Sequence, residues 1–191
     1  MKNFRNKYYF LRHGRNIHQT ELKHICYGWP EDTVPCMLDE VGIKEVTVSG
    51  TELKDKNIDL IYSSDILRTK QTSEIVASIL GIDKIYYDER LRDMNWGIFS
   101  EGPKSKVYEY YEDKDLMNDG VPEGECWNGL KERAVAALKD IDDKYEKKNI
   151  LIVTHGDVVL LLEAYLNDWD FDETWKQKEN VIKTGEWRKF N

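Results

Sequence analysis

His13 and His155 each close a short apolar run. Tyr8-Tyr9-Phe10-Leu11-Arg12 leads into His13-Gly14-Arg15-Asn16, and Ile150-Leu151-Ile152-Val153-Thr154 leads into His155-Gly156-Asp157. A neutral imidazole nitrogen can attack phosphorus and hold it as phosphohistidine, which splits one hard displacement into two easier ones. With an unperturbed pKa near about 6.5, the ring is substantially neutral at working pH. His13 is therefore a candidate nucleophile, and Arg12 directly before it can steady the transferred group. A third apolar run, Leu60-Ile61-Tyr62, gives way to Ser63-Ser64-Asp65, with Arg68, Thr69, Gln71 and Thr72 following. A guanidinium fork matches phosphate oxygens and keeps its charge at any working pH, so Arg12 and Arg68 suit a doubly charged phosphate. His155 would donate to the oxygens on which charge develops in the transition state. The structural alternative is a pair of strand-capping histidines and two surface cations.

These groups meet only if the runs are neighbouring parallel strands, because βα connections put strand carboxyl ends and helix amino ends on one edge. Backbone N–H groups at that edge favour anions. The pattern predicts strands over Tyr8 to Leu11, Leu60 to Ser63, Lys84 to Tyr87 and Ile150 to Thr154. Helices are predicted over Leu38 to Leu53, Arg68 to Leu80, Trp127 to Lys147 and Val158 to Leu166. Such alternation is the α/β signature. The tail from Asn180 to Phe190 alternates weakly and suggests an edge strand. Two stretches read as irregular insertions that roof the site. One is 20–36, with Gly28-Trp29-Pro30 and Pro35; the other is 97–125, around Tyr108, Tyr110 and Tyr111. Lys104 and Lys106 in the second read as part of a solvated charged loop, the alternative being contact with the non-reacting part of a substrate.

A chain of 191 residues suits one domain spanning 1–191, enough for a sheet covered by helices on both faces, a three-layer α/β/α arrangement. Hydrophobic residues at 40% and charged residues at 34% describe a soluble globule, and no apolar run approaches about 18 residues, so no membrane contact is expected. Lys2, Arg5 and Lys7 precede an apolar run too short for a signal peptide. The net charge of −8 disfavours nucleic-acid binding. Cys26, Cys36 and Cys126 are scattered and odd in number, which fits a reduced cytoplasmic setting. A metal site drawn from His24, Cys26 and Cys36 lacks a fourth ligand at finger-like spacing. No Gly-x-Gly-x-x-Gly fingerprint or nucleotide loop is present, which leaves a dinucleotide-dependent oxidoreductase without support. Neither metal nor cofactor is expected, and no oligomeric state is legible.

Four motifs in order carry a resemblance: Leu11-Arg12-His13-Gly14; Ser63 through Thr72; Pro122-Glu123-Gly124-Glu125; and Val153-Thr154-His155-Gly156. Together, over about residues 7 to 188, the chain resembles the histidine phosphatase superfamily. The resemblance implies the phosphoglycerate mutase-like fold with a mostly parallel central sheet, the nucleophile role for His13, and metal-independent hydrolysis of a small phosphorylated substrate. Mutases of the family are usually longer, which favours the phosphatase branch. A phosphoglycerate-type phosphomutase and a catalytically weak phosphate-binding module are the alternatives.

Departures from the family pattern bear on the site. The general acid is usually a glutamate two residues after a leucine; Leu91-Arg92-Asp93 offers the shorter Asp93 there, with Glu89 and Asp65 as substitutes. Arg15, Asn16 and Gln19 stand where the family commonly has glutamate, serine or threonine, and asparagine. Asn16 and Gln19 can still offer amide donors to phosphate, while Arg15 replaces an acid with a base and suggests altered pocket charge. Cys126 stands where serine often follows the glutamate. Glu125 is expected to orient site groups, the alternative being a helix N-terminal acid favoured by the dipole. Asn16, Gln19, Glu89, Glu125 and Gly156 complete the expected binding set.

Overall fold

The computed structural model describes residues 3–27, 29 and 35–190. Its sheet runs β1 (Lys7–Arg12), β2 (Leu60–Ser63), β3 (Ile85–Tyr87), β4 (Asn149–Thr154) and β5 (Trp187–Lys189), in spatial order β3-β2-β4-β1-β5. All neighbours are parallel except β5, which pairs antiparallel with β1 through Phe10 and Arg188. The weak alternation near the carboxyl end thus does form an edge strand, shortened to three residues.

Side-chain alternation along the central strands builds two cores. Tyr8, Phe10, Ile150 and Ile152 face one way, toward α4 (Trp127–Lys144) and α5 (Gly156–Asn167). Tyr9, Leu11, Leu151 and Val153 face the other way, toward α1 (Glu40–Leu53) and α2 (Leu67–Leu80). Strands buried on both faces read as continuous apolar runs, which is why they were legible. The helices differ modestly from expectation: α1 begins later because Asp39 caps it, accepting from the Gly42 N–H at 2.8 Å, and α4 stops at Lys144.

The insertions are less irregular than the sequence suggested. Segment 97–125 holds a short helix α3 (Lys104–Tyr110), and Phe171–Lys176 forms a further short helix, α6, that periodicity did not reveal. Of the breakers in 20–36, Gly28 and Pro30 lie outside the described residues.

Adjacent strands β1 and β4 send their following helices to opposite faces, α1 to one and α5 to the other. A crevice opens at their carboxyl ends wherever neighbouring connections diverge in this way. Gly14 lets α1 lie close against the chain leaving β1. A Cβ built there would come within 2.6 Å of the Gly42 carbonyl oxygen and 2.8 Å of Val46 Cγ2. Overpacking of this kind costs about 1–3 kcal/mol. Gly14→Ala is accordingly expected to lower the thermal midpoint by about 3–10 °C, which a melt followed by circular dichroism reads directly.

Candidate active site

Both histidines stand at that crevice. His13 follows β1, its N–H donating to the Thr154 carbonyl at 3.0 Å, and is 1% exposed; His155 follows β4 and is fully buried. Their ring centroids are 5.3 Å apart. The Nδ1 of His13 lies 2.9 Å from the Gly14 carbonyl, an acceptor only, so this nitrogen carries the proton and Nε2 keeps its lone pair. At His155 the assignment is reversed: Nδ1 faces Asp93 Oδ2 at 3.5 Å, an oxygen that already accepts from Arg68, which places the ring proton on Nδ1 and makes Nε2 the acceptor toward the Ser64 hydroxyl 3.0 Å away. One ring thus offers a lone pair and the other a donor.

Arg68 rises from the first turn of α2, wholly buried, with its Nη2 donating to Asp93 Oδ2 at 3.0 Å. Thr72, one turn on, accepts from the Gly14 N–H at 3.1 Å and donates to the Arg68 carbonyl at 2.8 Å, tying α2 to the His13 loop. Arg12 is oriented by the Ile182 carbonyl at 2.9 Å. Gly156 leaves room beside it, since a Cβ there would lie 3.1 Å from the guanidinium carbon. Burial, reinforced by Arg68, His155 and Arg12, holds the His13 imidazole well below its usual range; burial with Arg68, Arg12 and Arg133 does the same for His155. Both rings are therefore neutral.

Three buried donors, Arg12 Nε, Asn16 Nδ2 and His155 Nδ1, meet no hydrogen-bond acceptor among the described residues. A buried donor left unmet costs about 1–3 kcal/mol. Oxygens of a bound oxyanion can meet such donors, and two arginines against one aspartate leave net positive charge for it.

Asp93 sits in a loop held by several ties. Thr154 Oγ1 donates to the Leu91 carbonyl at 2.7 Å, and the Arg133 guanidinium donates to the carbonyls of Arg90, Arg92 and Asp93 at 2.7–2.9 Å. Glu125 pairs with Arg133 through both oxygens, at 2.6 and 2.9 Å, and accepts from the Asn95 N–H at 2.8 Å. Glu125 therefore reaches the loop that carries Asp93, and its carboxylate is taken up by Arg133 and the Asn95 N–H. Arg133 was missed by the sequence reading because it resembled one more cation on an amphipathic helix.

Other expected members are placed differently. Glu89 is 74% exposed in its side chain and lies 3.5 Å from Arg92 Nη1, outside the buried cluster. Asp65 is held by the Arg92 fork at 2.5 and 2.6 Å, which keeps its carboxyl below the usual range. Asn16 and Gln19 form a capping box: Asn16 Oδ1 accepts from the His18 N–H at 2.9 Å, and Gln19 Oε1 accepts from the Asn16 N–H at 2.9 Å. The Gln19 amide donates to the Tyr27 hydroxyl, so Gln19 supports the loop. Arg15 turns to Asp39 at 2.8 Å and Glu45 accepts from its backbone N–H, so the base that replaces an acid is neutralised beside α1. The sequence reading also missed Tyr27, whose ring lies 4.4 Å from the Arg68 guanidinium carbon and whose hydroxyl burial pushes up to about 12. No feature of Cys26-Tyr27 announced that contact. Among the described residues no group of three or more His, Cys, Asp or Glu is placed to hold a metal ion.

A model of the histidine phosphatase superfamily, branch 1, matches residues 8–183. The chain belongs to this superfamily. Histidine phosphatases of this superfamily act on phosphorylated small molecules. The chain is 32% identical over 154 residues to the probable phosphoglycerate mutase GpmB of Escherichia coli, a match spanning 78% of this chain and 68% of the relative. Among solved structures, Bacillus stearothermophilus YhfR superposes with a TM-score of 0.81 at 25% identity, covering 95% of this chain and 89% of that one. A mycobacterial glucosyl-3-phosphoglycerate phosphatase in complex with VO3 also gives 0.81, at 16% identity, covering 97% and 92%, and shares the fold.

For this member of the superfamily the buried imidazoles set an expected pH dependence. In the unfolded chain a histidine takes up its proton near about pH 6.5, whereas folded His13 and His155 resist it and folded His18 is pushed down to about 4 by burial, Arg68 and Lys104. The unfolded state then binds more protons, so stability is fully present above about pH 6.5 and falls as pH drops toward the folded values, by up to about 1.4 kcal/mol per pH unit for each ring. Urea unfolding between pH 7 and 5 should show this decline, and His155→Gln should make it shallower. An unchanged slope in the variant would contradict the assignment.

Proposed function

We propose that this superfamily member is a phosphomonoester hydrolase working through a phosphohistidine on His13. The observation that carries the reading is the pairing of the His13 Nε2 lone pair with buried donors from Arg12, Arg68 and His155 in one crevice. His13 Nε2 attacks phosphorus while the two guanidiniums and His155 Nδ1–H bind the equatorial oxygens, whose charge they stabilise. Asp93, beside Arg68 at 3.0 Å and on the wall of the adjoining cavity, delivers a proton to the leaving oxygen. In the second half the same aspartate, now a carboxylate, takes a proton from the water that attacks the phosphohistidine, releasing phosphate. No step requires a metal. The three free cysteines support a reducing, cytoplasmic setting.

A mutase reading is favoured by one observation, the similarity to a probable phosphoglycerate mutase. Against it stands the cavity beside Asp93, where Lys104 and Lys178 share the wall with Asp157 and six aromatic side chains. A bisphosphorylated intermediate needs more positive charge than that. Purified protein in EDTA should release phosphate from p-nitrophenyl phosphate and from 3-phosphoglycerate. Isomerisation of 3-phosphoglycerate with little release would make the chain a mutase, and loss of all turnover with retained phosphate binding would make it a binding module.

A further inference from the structure

A cavity of about 480 Å³, within the range of small-molecule pockets, is walled in part by Asp93. Asp93 belongs both to this wall and to the Arg68–His155 cluster. An alcohol whose oxygen Asp93 protonates lies against this wall. We propose that the cavity is the leaving-group subsite and that it selects phosphomonoesters of neutral, arene-bearing alcohols over compact polyanionic ones. This inference rests on the phosphomonoesterase reading and names its substrate class.

Six aromatic side chains line the wall: Tyr27, Trp96, Tyr108, Tyr111, Trp127 and Trp175. Aromatic rings favour offset-stacked or edge-to-face partners beyond the gain from area burial. Tyr108 is 70% exposed and Trp175 45% exposed, so both keep surface that an inserted ring would cover. The two lysines of the wall are already engaged. Lys104 Nζ donates to the Lys23 carbonyl at 2.7 Å, while Lys178 Nζ lies 4.4 Å from the Trp127 ring centre and 4.5 Å from that of Trp175. A second phosphate or carboxylate would share them with these partners and face Asp157. A flat neutral body meets neither condition. Lys104, Tyr108 and Tyr111, which read in the sequence as part of a solvated loop, are brought to this wall by α3 and the turn after it.

Hydrolysis-resistant phosphonates test the subsite independently of turnover. Calorimetric titration of the full chain with benzylphosphonate and ethylphosphonate is expected to give benzylphosphonate at least about tenfold tighter binding. In the Tyr108→Ala/Trp175→Ala double variant that ratio should fall below about threefold. Equal affinities in the wild type, a ratio that survives in the variant, or tighter binding of 2,3-bisphosphoglycerate than of benzylphosphonate would each overturn the proposal. Phosphate release from ethyl phosphate, measured separately, reports on the hydrolase reading, so its failure would leave the binding comparison to decide the subsite.

Discussion

His13→Ala is expected to abolish turnover, lowering kcat/KM by on the order of 10⁴-fold or more, and to remove any covalent phosphoenzyme. The expectation follows from the ring's setting. With its Nδ1 proton committed to the Gly14 carbonyl and its charge suppressed by burial and the arginines, His13 presents a neutral Nε2 as a ready nucleophile. Alanine removes that atom while leaving Arg12, Arg68 and His155 to bind the anion. Phosphate affinity should therefore stay within about tenfold, because only one of several contacts is lost. Near wild-type turnover in the variant would refute the nucleophile.

Asp93→Asn is expected to separate substrates by leaving group. Ethyl phosphate, whose alkoxide needs protonation, should lose about 10²–10⁴-fold in kcat/KM, whereas p-nitrophenyl phosphate should lose less than about tenfold. Asparagine keeps a side-chain oxygen facing Arg68 Nη2, so the guanidinium stays in place and the charge change is isolated. It also removes the negative charge beside the phosphate site, so inorganic phosphate should inhibit the variant at lower concentration. Equal losses on both substrates would detach the acid role from Asp93. Glu89, exposed and outside the buried cluster, is not placed to take it up.

The difference between what was legible and what was not lies in the range of the interactions. His13, Arg12, His155 and Arg68 could be placed at one crevice because each closes a strand or opens a helix, and those elements announce themselves through local patterns of burial. The sheet could be read from the same runs, Phe10 and Ile152 facing one core, Leu11 and Val153 the other. Gln19 carried a local signal as well, the spacing of a capping box with Asn16, but the family pattern drew it toward phosphate, whereas its amide meets Tyr27. Tyr27 against Arg68, Arg133 beneath the Asp93 loop, and the aromatic wall join residues far apart in the chain. Their composition is that of ordinary loops and helix faces. Helices as short as α3 and α6 escape for a related reason, since one or two turns give too few apolar positions to establish a period.

The central claim is a covalent phosphate on His13, and acid-sparing quench of a rapid-mixing reaction with ³²P-labelled substrate tests it most directly. The account predicts a labelled protein formed within the first turnover, acid-labile and alkali-stable as a phosphoramidate, with the label on a peptide containing His13 and absent from His13→Ala. Turnover by the wild-type chain with no labelled protein at any time, or label on another residue, would contradict it.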